Sequence, residues 1–463
     1  MFNSKIYIKR REQLREQLDS GIILILGNNE APMNYPANTY HYRQDSDFLY
    51  FFGLNHDGLA GIMDIDENKD YIFGNDASMD DIIWMGPQPS MKDRCEKVGI
   101  ENTEEFTKLD SFIKEAISKG RKIHFLPPYR HDNIIKLASL TETTTDNISK
   151  NVSVDLIKAV VKLRSIKDEY EIIEIEKATD TAYKMHTTAM KMAMPGIIEQ
   201  EIAGIIEGIS LANGNPPSFP IILSTNGQTL HNHYHGNILE TGRMMVTDAG
   251  AETAMNYVSD ITRTVPVGGK FNQRQKDIYE IVLKANMDAI KNAKPGIKNR
   301  DLHFIAAKVL ASGLKDLGIM KGNIDDAVAN GAHALFQPHG LGHMMGLDVH
   351  DMEGLGEDYV GYDEETKRSD QFGLAFLRLG RKLETGFVFT IEPGCYFIPA
   401  LIDQWKSENK FTDFINYDKV ESFKDFGGIR IEDDILITKD SYRNFSKDIP
   451  KTVEEVEKTM AKK

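Results

Sequence analysis

Asp248 and Asp260 stand twelve residues apart in the stretch 244–267, MMVTDAGAETAMNYVSDITRTVPV. Positions 244–247 and 257–261 read as apolar strands, and the small residues between them, Gly250 included, allow a hairpin-like return. Antiparallel pairing would set the two carboxylates side by side, where they repel unless one is protonated or a cation lies between them. An Asp at a strand end also caps turns, so this pair alone leaves both readings open. Three later stretches bear on the choice. Pro338-His-Gly-Leu-Gly-His343 and Gly346-Leu-Asp-Val-His350 gather His339, His343 and His350 within twelve residues, beside glycines that permit close backbone approach. Phe389-Thr-Ile-Glu-Pro-Gly394 ends an apolar run on Glu392, which could equally be a turn residue. Gly427-Gly-Ile-Arg-Ile-Glu-Asp-Asp-Ile-Leu-Ile437 puts Arg430 and Glu432 on one face of a strand, and burying Glu432 would need a partner or a cation. Asp248, Asp260, His343, Glu392 and Glu432 together offer four carboxylates and one imidazole, donors suited to Mn2+, Co2+ or Zn2+. That exceeds what one catalytic ion needs, and shared carboxylates can hold two ions about 3.5–4 Å apart.

The elements that must carry these residues are legible from periodicity. Helical patterns cover 167–192, 199–213, 274–293 and 300–317, and each pair is split by a Pro-Gly step, Pro195-Gly196 and Pro295-Gly296. Helix, helix, Asp-bearing hairpin, helix, helix hints at internal duplication, with Met-Pro-Gly-Ile and Lys-Pro-Gly-Ile as echoing breaks. Before them come an opening helix at 6–18, strands at 21–27, 58–65, 71–73 and 123–126, and a helix at 106–116 stopped by Gly120. This alternation predicts an N-terminal α/β domain with a mixed sheet. The stretch 141–154, rich in Thr, Asn and Ser, marks the boundary, giving domains 1–150 and 151–463. Aromatics crowd 40–53 and read mainly as core and interface. Trp84, in Asp81-Ile-Ile-Trp-Met-Gly86, is one of only two tryptophans, and composition alone leaves it in the core.

Bulk properties narrow the function classes. At 463 residues the chain exceeds one ordinary core, so two or more domains are expected. A net charge of -15 argues against nucleic acid as a partner. The N-terminus has no apolar segment of the secretory type, and the early apolar run at 22–26 is too short to span a bilayer, so no membrane partner is expected. Cys95 and Cys395, 300 positions apart, provide no disulfide framework, and the chain reads as reduced and cytoplasmic.

The ordered set Asp-x11-Asp-Ile-Thr-Arg, His-Gly-Leu-Gly-His, Ile-Glu-Pro-Gly and Arg-Ile-Glu-Asp resembles the Xaa-Pro aminopeptidases (aminopeptidase P) and the related prolidases. Tyr42-Arg-Gln-Asp-Ser-Asp-Phe-Leu-Tyr50 looks like that family's N-terminal domain, and the tail Val453-Glu-Glu-Val-Glu457 is similar to prolidase tails. The resemblance implies an α/β protein whose C-terminal catalytic domain is a pita-bread fold of duplicated α-β halves. It further implies two divalent ions, Mn2+ first, with Co2+ or Zn2+ as alternatives. Asp248 would bind one ion, Asp260 and Glu432 would bridge both, and His343 and Glu392 would complete the coordination of the second ion. Glu392 would handle the proton of the attacking water, and His350 would stabilise the substrate carbonyl oxygen. His339 matches a histidine near the proline subsite and His231 another active-site histidine, although Leu230-His-Asn-His-Tyr-His235 offers His233 and His235 as well. Arg430 would order the cluster by ion pairing. Leu377-Arg378 and Tyr396-Phe-Ile398 look like prolidase segments, the arginine there binding a dipeptide's carboxylate. The Trp84 motif resembles one that reaches a neighbouring subunit's active site, so a homodimer or homotetramer acting on proline-containing peptides is implied. Specificity divides an aminopeptidase from a prolidase; a non-catalytic binding relative would be expected to lose ligands, and a creatinase-like hydrolase need not keep the dinuclear set.

Overall fold

The structure, a computed structural model, describes residues 1–462. The apolar run near the N-terminus folds as β1 (Ile22–Leu26), with Ile22 to Ile25 buried on both faces, as a central strand requires. Antiparallel to it lies β2 (Ala60–Asp64), which pairs with β3 (Lys69–Phe73); β4 (Asn102–Glu104) and β5 (Ile123–His124) add parallel at the two edges. The order β4-β3-β2-β1-β5 is the expected mixed sheet. Ile22, Leu24, Ile62 and Phe73 meet Leu109 and Ile113 of the helix Leu109–Ser118 and Leu137 of the helix His131–Leu140 in one core. The aromatic stretch becomes the helix Ser46–Phe52, started by the Asp45 side chain and ended by Gly53 at φ 68, with every residue buried.

Two compact units divide the described residues: Met1–Arg164 with Met352–Tyr359, and Ser165–Asp351 with the residues from Val360 onward. The first thus extends past the polar stretch expected as its end. That stretch carries a short helix, Thr145–Ile148, whose Ile148 is sealed into the first unit's core. The next helix, Val154–Ser165, stays with it, because Tyr50 donates to the Leu163 carbonyl and Arg164 pairs with Asp47 at 2.6 Å.

In the second unit the helices Glu169–Met192, Glu199–Asn213, Gln273–Asn292 and Asn299–Asp316 lie within two residues of their periodicity bounds. Strands β6 (Ile222–Ser224), β7 (Met244–Asp248) and β8 (Thr262–Pro266) form one antiparallel sheet. β9 (Val388–Ile391), β12 (Asp433–Ile437) and β13 (Tyr442–Asn444) form a second, and β10 (Gly394–Tyr396) with β11 (Gly428–Arg430) a third. The suspected duplication is visible atom by atom. Gly196 and Glu199 donate to the Leu239 and Asn237 carbonyls, and Leu239 donates back to Ile197; Gly296, Asn299, Leu383, Arg381 and Ile297 repeat that clasp in the second half. Gly196 (φ 90) and Gly296 (φ 87) occupy the left-handed region where the helix pair turns.

One strand differs from expectation. Residues 257–261 form an irregular return instead of a strand, and β8 begins at Thr262. There the backbone bonds elsewhere, Val258 N–H donating to the Gly346 carbonyl at 3.0 Å and Asp260 N–H to Asp434 Oδ2 at 3.1 Å, so the hairpin tip leaves regular pairing. Thr262 therefore lies directly opposite Asp248, and Asp260 sits beyond it. Among the described residues, no helix is long and apolar enough to cross a membrane.

Candidate metal centre

One hairpin and a distant segment converge at the end of β7. Asp248 closes that strand, Asp260 precedes β8, and Glu432 lies in the break between β11 and β12, not inside a strand. Backbone bonds hold the break in place: Glu432 N–H donates to the Thr262 carbonyl at 3.1 Å, and Arg263 donates to the Glu432 carbonyl at 2.6 Å. The histidine loop clamps onto β9 through His343 N–H to Thr390 Oγ1 (3.1 Å), Thr390 N–H to the His343 carbonyl (3.0 Å) and Glu392 N–H to the Leu341 carbonyl (2.8 Å). Only a glycine fits at 342, where a Cβ would strike the Thr390 carbonyl oxygen.

The result is a buried knot of acids around one imidazole. Asp260, His343 and Glu432 each offer a donor atom within 4.8 Å of the others'. His343 Nε2 is 3.4 Å from Asp260 Oδ2 and 3.6 Å from Glu392 Oε1. Its Nδ1 lies 3.1 Å from the Met344 carbonyl; assigning the proton there leaves Nε2 as a lone-pair donor facing the carboxylates. Arg430 donates to Asp248 Oδ2 at 2.5 Å. Asp248 Oδ1 and Asp260 Oδ1 are buried with no hydrogen-bond partner among the described residues.

Burial and mutual repulsion raise Asp260, Glu392 and Glu432. Burial, then Glu432 and Asp248, drive Asp260 well above the usual carboxylate range. Burial, then Glu392 and Asp248, do the same to Glu432. Glu392 is lifted to about 8 by burial, with Arg430 opposing and Asp248 adding. Burial also holds His343 well below its ordinary value. All these carboxylates ionise together only if more positive charge than Arg430 supplies enters the knot. Two orphaned oxygens and an aimed imidazole nitrogen give that charge its ligands, so the residues fit divalent cations.

The other predicted residues group around this knot. The His350 ring stands edge-on to His343, centroids 4.4 Å apart. His339 Nδ1 is 2.7 Å from the Gly340 carbonyl and Nε2 is 2.9 Å from the Tyr396 hydroxyl, while Arg430 donates to that same hydroxyl at 3.0 Å. Arg430 and Tyr396 are thus buried on the Asp248 side. Arg378 is half-buried, and its charge is felt at His231, His343 and Glu392. Of the three candidate histidines, His231 lies within electrostatic reach of Asp248, Arg430 and Arg378. His235 instead turns its Nδ1 onto the Leu223 carbonyl at 2.9 Å, and His233 faces that of Ile221 at 3.5 Å. Trp84 is 85% exposed, on the first unit's helix Met79–Met85, of which no residue is buried, so the core assignment from composition is corrected.

Sequence reasoning passed over two supports. Thr262 Oγ1 donates to Glu432 Oε2 at 2.6 Å and accepts from Arg430 Nε at 3.1 Å; its place two residues after Asp260, in strand alternation, was the available signal. Glu199, fully buried, accepts from Thr225 and Asn237, the two ends of the loop bearing His231, and no local pattern announced it.

Comparison with known proteins gives the same answer along the whole chain. Residues 174–439 match Metallopeptidase family M24, and residues 7–124 match Aminopeptidase P, N-terminal domain. The human Xaa-Pro dipeptidase is 31% identical over 98% of this chain and 93% of its own. "Probable Xaa-Pro aminopeptidase pepP" of Aspergillus clavatus is 33% identical over 99% and 98%. Solved structures of Escherichia coli aminopeptidase P, one with the inhibitor Pro-Leu, superpose with a TM-score of 0.81 at 28% identity, covering 99% of this chain and 98% of theirs.

Proposed function

The chain belongs to Metallopeptidase family M24, and on that premise we propose that it is an Xaa-Pro aminopeptidase, removing an N-terminal residue that precedes proline. The observation that carries the reading is the buried acid–imidazole knot with its two aspartate oxygens unpartnered among the described residues. Asp248, Asp260, His343, Glu392 and Glu432 would hold two divalent ions, Mn2+ in the first instance. When bound, such ions polarise the scissile carbonyl and lower the pKa of water. Glu392 takes the proton of the attacking water on the oxygen that Thr390 does not hold, and passes it to the departing proline nitrogen. His350 donates to the carbonyl oxygen as charge develops on it. His339, steadied by Tyr396, flanks the proline ring, and His231 closes the side near Arg378. Arg430 keeps Asp248 oriented through its ion pair.

A second reading, Xaa-Pro dipeptidase, is supported by Arg378, whose guanidinium lies in electrostatic reach of His343 and Glu392 and would suit a dipeptide's carboxylate. A homo-oligomer, dimer or tetramer, in which Trp84 completes a neighbour's site, is supported by that residue's exposure. The two free, buried cysteines suit a cytoplasmic setting. A panel of Xaa-Pro dipeptides, Xaa-Pro tripeptides and longer peptides, assayed with Mn2+, tests the function. Turnover of tripeptides and longer chains supports the aminopeptidase, turnover of dipeptides alone selects the dipeptidase, and no cleavage of any would overturn both.

A further inference from the structure

Lys167 and Asp351 form an ion pair deep in the second unit, Nζ to Oδ2 at 2.9 Å, with both side chains 1% exposed. Neither is assigned a part in the chemistry above. Two charges so far from water are a poor device for stability alone, since an apolar pair of similar volume serves as well or better. What the pair touches suggests why it is there. Asp351 directly follows His350. Its Oδ1 accepts from Asp348 N–H at 3.3 Å, and its own N–H donates to the Met344 carbonyl at 2.9 Å. Gly346 N–H donates to the Asp348 carbonyl at 3.1 Å, and a Cβ on that glycine would meet Asp351 Oδ2 at 2.7 Å and Lys167 Cε at 2.9 Å. The segment 344–351 is therefore wrapped around the ion pair. Lys167 is itself fixed by its N–H to the Gly386 carbonyl at 2.9 Å, just ahead of β9, the strand against which the His343 loop is clamped. The His350 ring, carried at the end of this wrap, is set 4.4 Å from that of His343.

We propose that Lys167 is a positioning residue that acts through Asp351 to hold His350 on the reacting carbonyl. The proposal rests on the reading of His350 as the donor to that oxygen. A single Lys167→Met change removes the cation beside a buried carboxylate, so the test uses Lys167→Met/Asp351→Asn, which removes both charges and keeps the acceptor for Asp348. Melting temperature, metal content, kcat and KM are measured for this double variant, for His350→Ala and for the combined triple. The expected result is a double variant with native melting temperature and metal content, but kcat lowered by about 10–100-fold at little-changed KM. In the His350→Ala background the same double change should cost nothing further, because both act on one contribution. Native kcat in a folded double variant, or an undiminished additional loss on top of His350→Ala, would overturn the positioning role. Native kcat in His350→Ala would instead overturn the reading beneath it. If the double variant does not fold, the charge-preserving Lys167→Arg decides: lowered kcat at native melting temperature and metal content supports the role, and native kcat overturns it.

Discussion

Thr262 bears more of the site than its size suggests. Its one hydroxyl satisfies a Glu432 oxygen and an Arg430 N–H at once, so two buried charges depend on it. Thr262→Val keeps the shape and deletes the hydroxyl, leaving both without that partner. We expect metal affinity or turnover to fall about 10–100-fold, with the fold intact by circular dichroism. Metal titration and kcat check this, and native values for both would show that the hydroxyl is dispensable. The five proposed ligands stood out in the sequence as candidates because glycines, a proline or strand alternation mark each one locally, while their roles came from the family resemblance. Thr262 was not, because its partner Glu432 lies 170 residues away and a strand threonine looks alike whether it faces solvent or a carboxylate.

The helix pairs were legible for a related reason: apolar periodicity and the two Pro-Gly breaks are local signals, and the repeated clasps at Gly196 and Gly296 act through neighbouring residues. Tertiary contact decided the rest. The displaced start of β8 follows from the bonds of Val258 to the Gly346 carbonyl and of Asp260 to Asp434, and the first unit's reach to Arg164 follows from the Ile148, Leu163 and Arg164 contacts. One consequence of helix packing is measurable. His303, on the helix Asn299–Asp316, and His333, on the turn Ala332–Leu335, lie edge-on with centroids 6.0 Å apart. None of their four ring nitrogens has a hydrogen-bond partner among the described residues. Burial, with His333 adding, holds His303 at about 3, and burial holds His333 at about 4. The unfolded chain titrates these groups near about 6.5. Between those values it binds more protons than the fold, so the contribution of both is full above about 6.5 and is lost as pH falls toward about 4. Melting temperature should therefore drop as pH is lowered through that window, and His303→Leu/His333→Leu should flatten the slope. An unchanged slope in the double variant would contradict the buried, neutral state of the pair.

At the scale of the whole molecule, the helix Met79–Met85 leaves Met79, Ile83, Trp84 and Met85 between 67% and 85% exposed. A core Trp replaced by Ala costs about 3–5 kcal/mol; at this exposed position melting temperature should barely move. KM should rise instead if Trp84 completes a neighbour's site. Mixing Trp84→Ala chains with Glu392→Ala chains should then restore part of the activity, and confirmed subunit exchange without recovery would contradict the shared site. The proposed chemistry rests on a dinuclear centre, for which Asp260 is the proposed bridge, buried, with one oxygen unpartnered among the described residues. Elemental analysis of Mn2+-loaded protein beside Asp260→Asn, with Xaa-Pro hydrolysis followed on the same samples, tests that centre most directly. The dinuclear assignment predicts two ions per wild-type chain, fewer than one per variant chain, and nearly complete loss of turnover in the variant. Near-native hydrolysis by Asp260→Asn carrying one ion or none would contradict it.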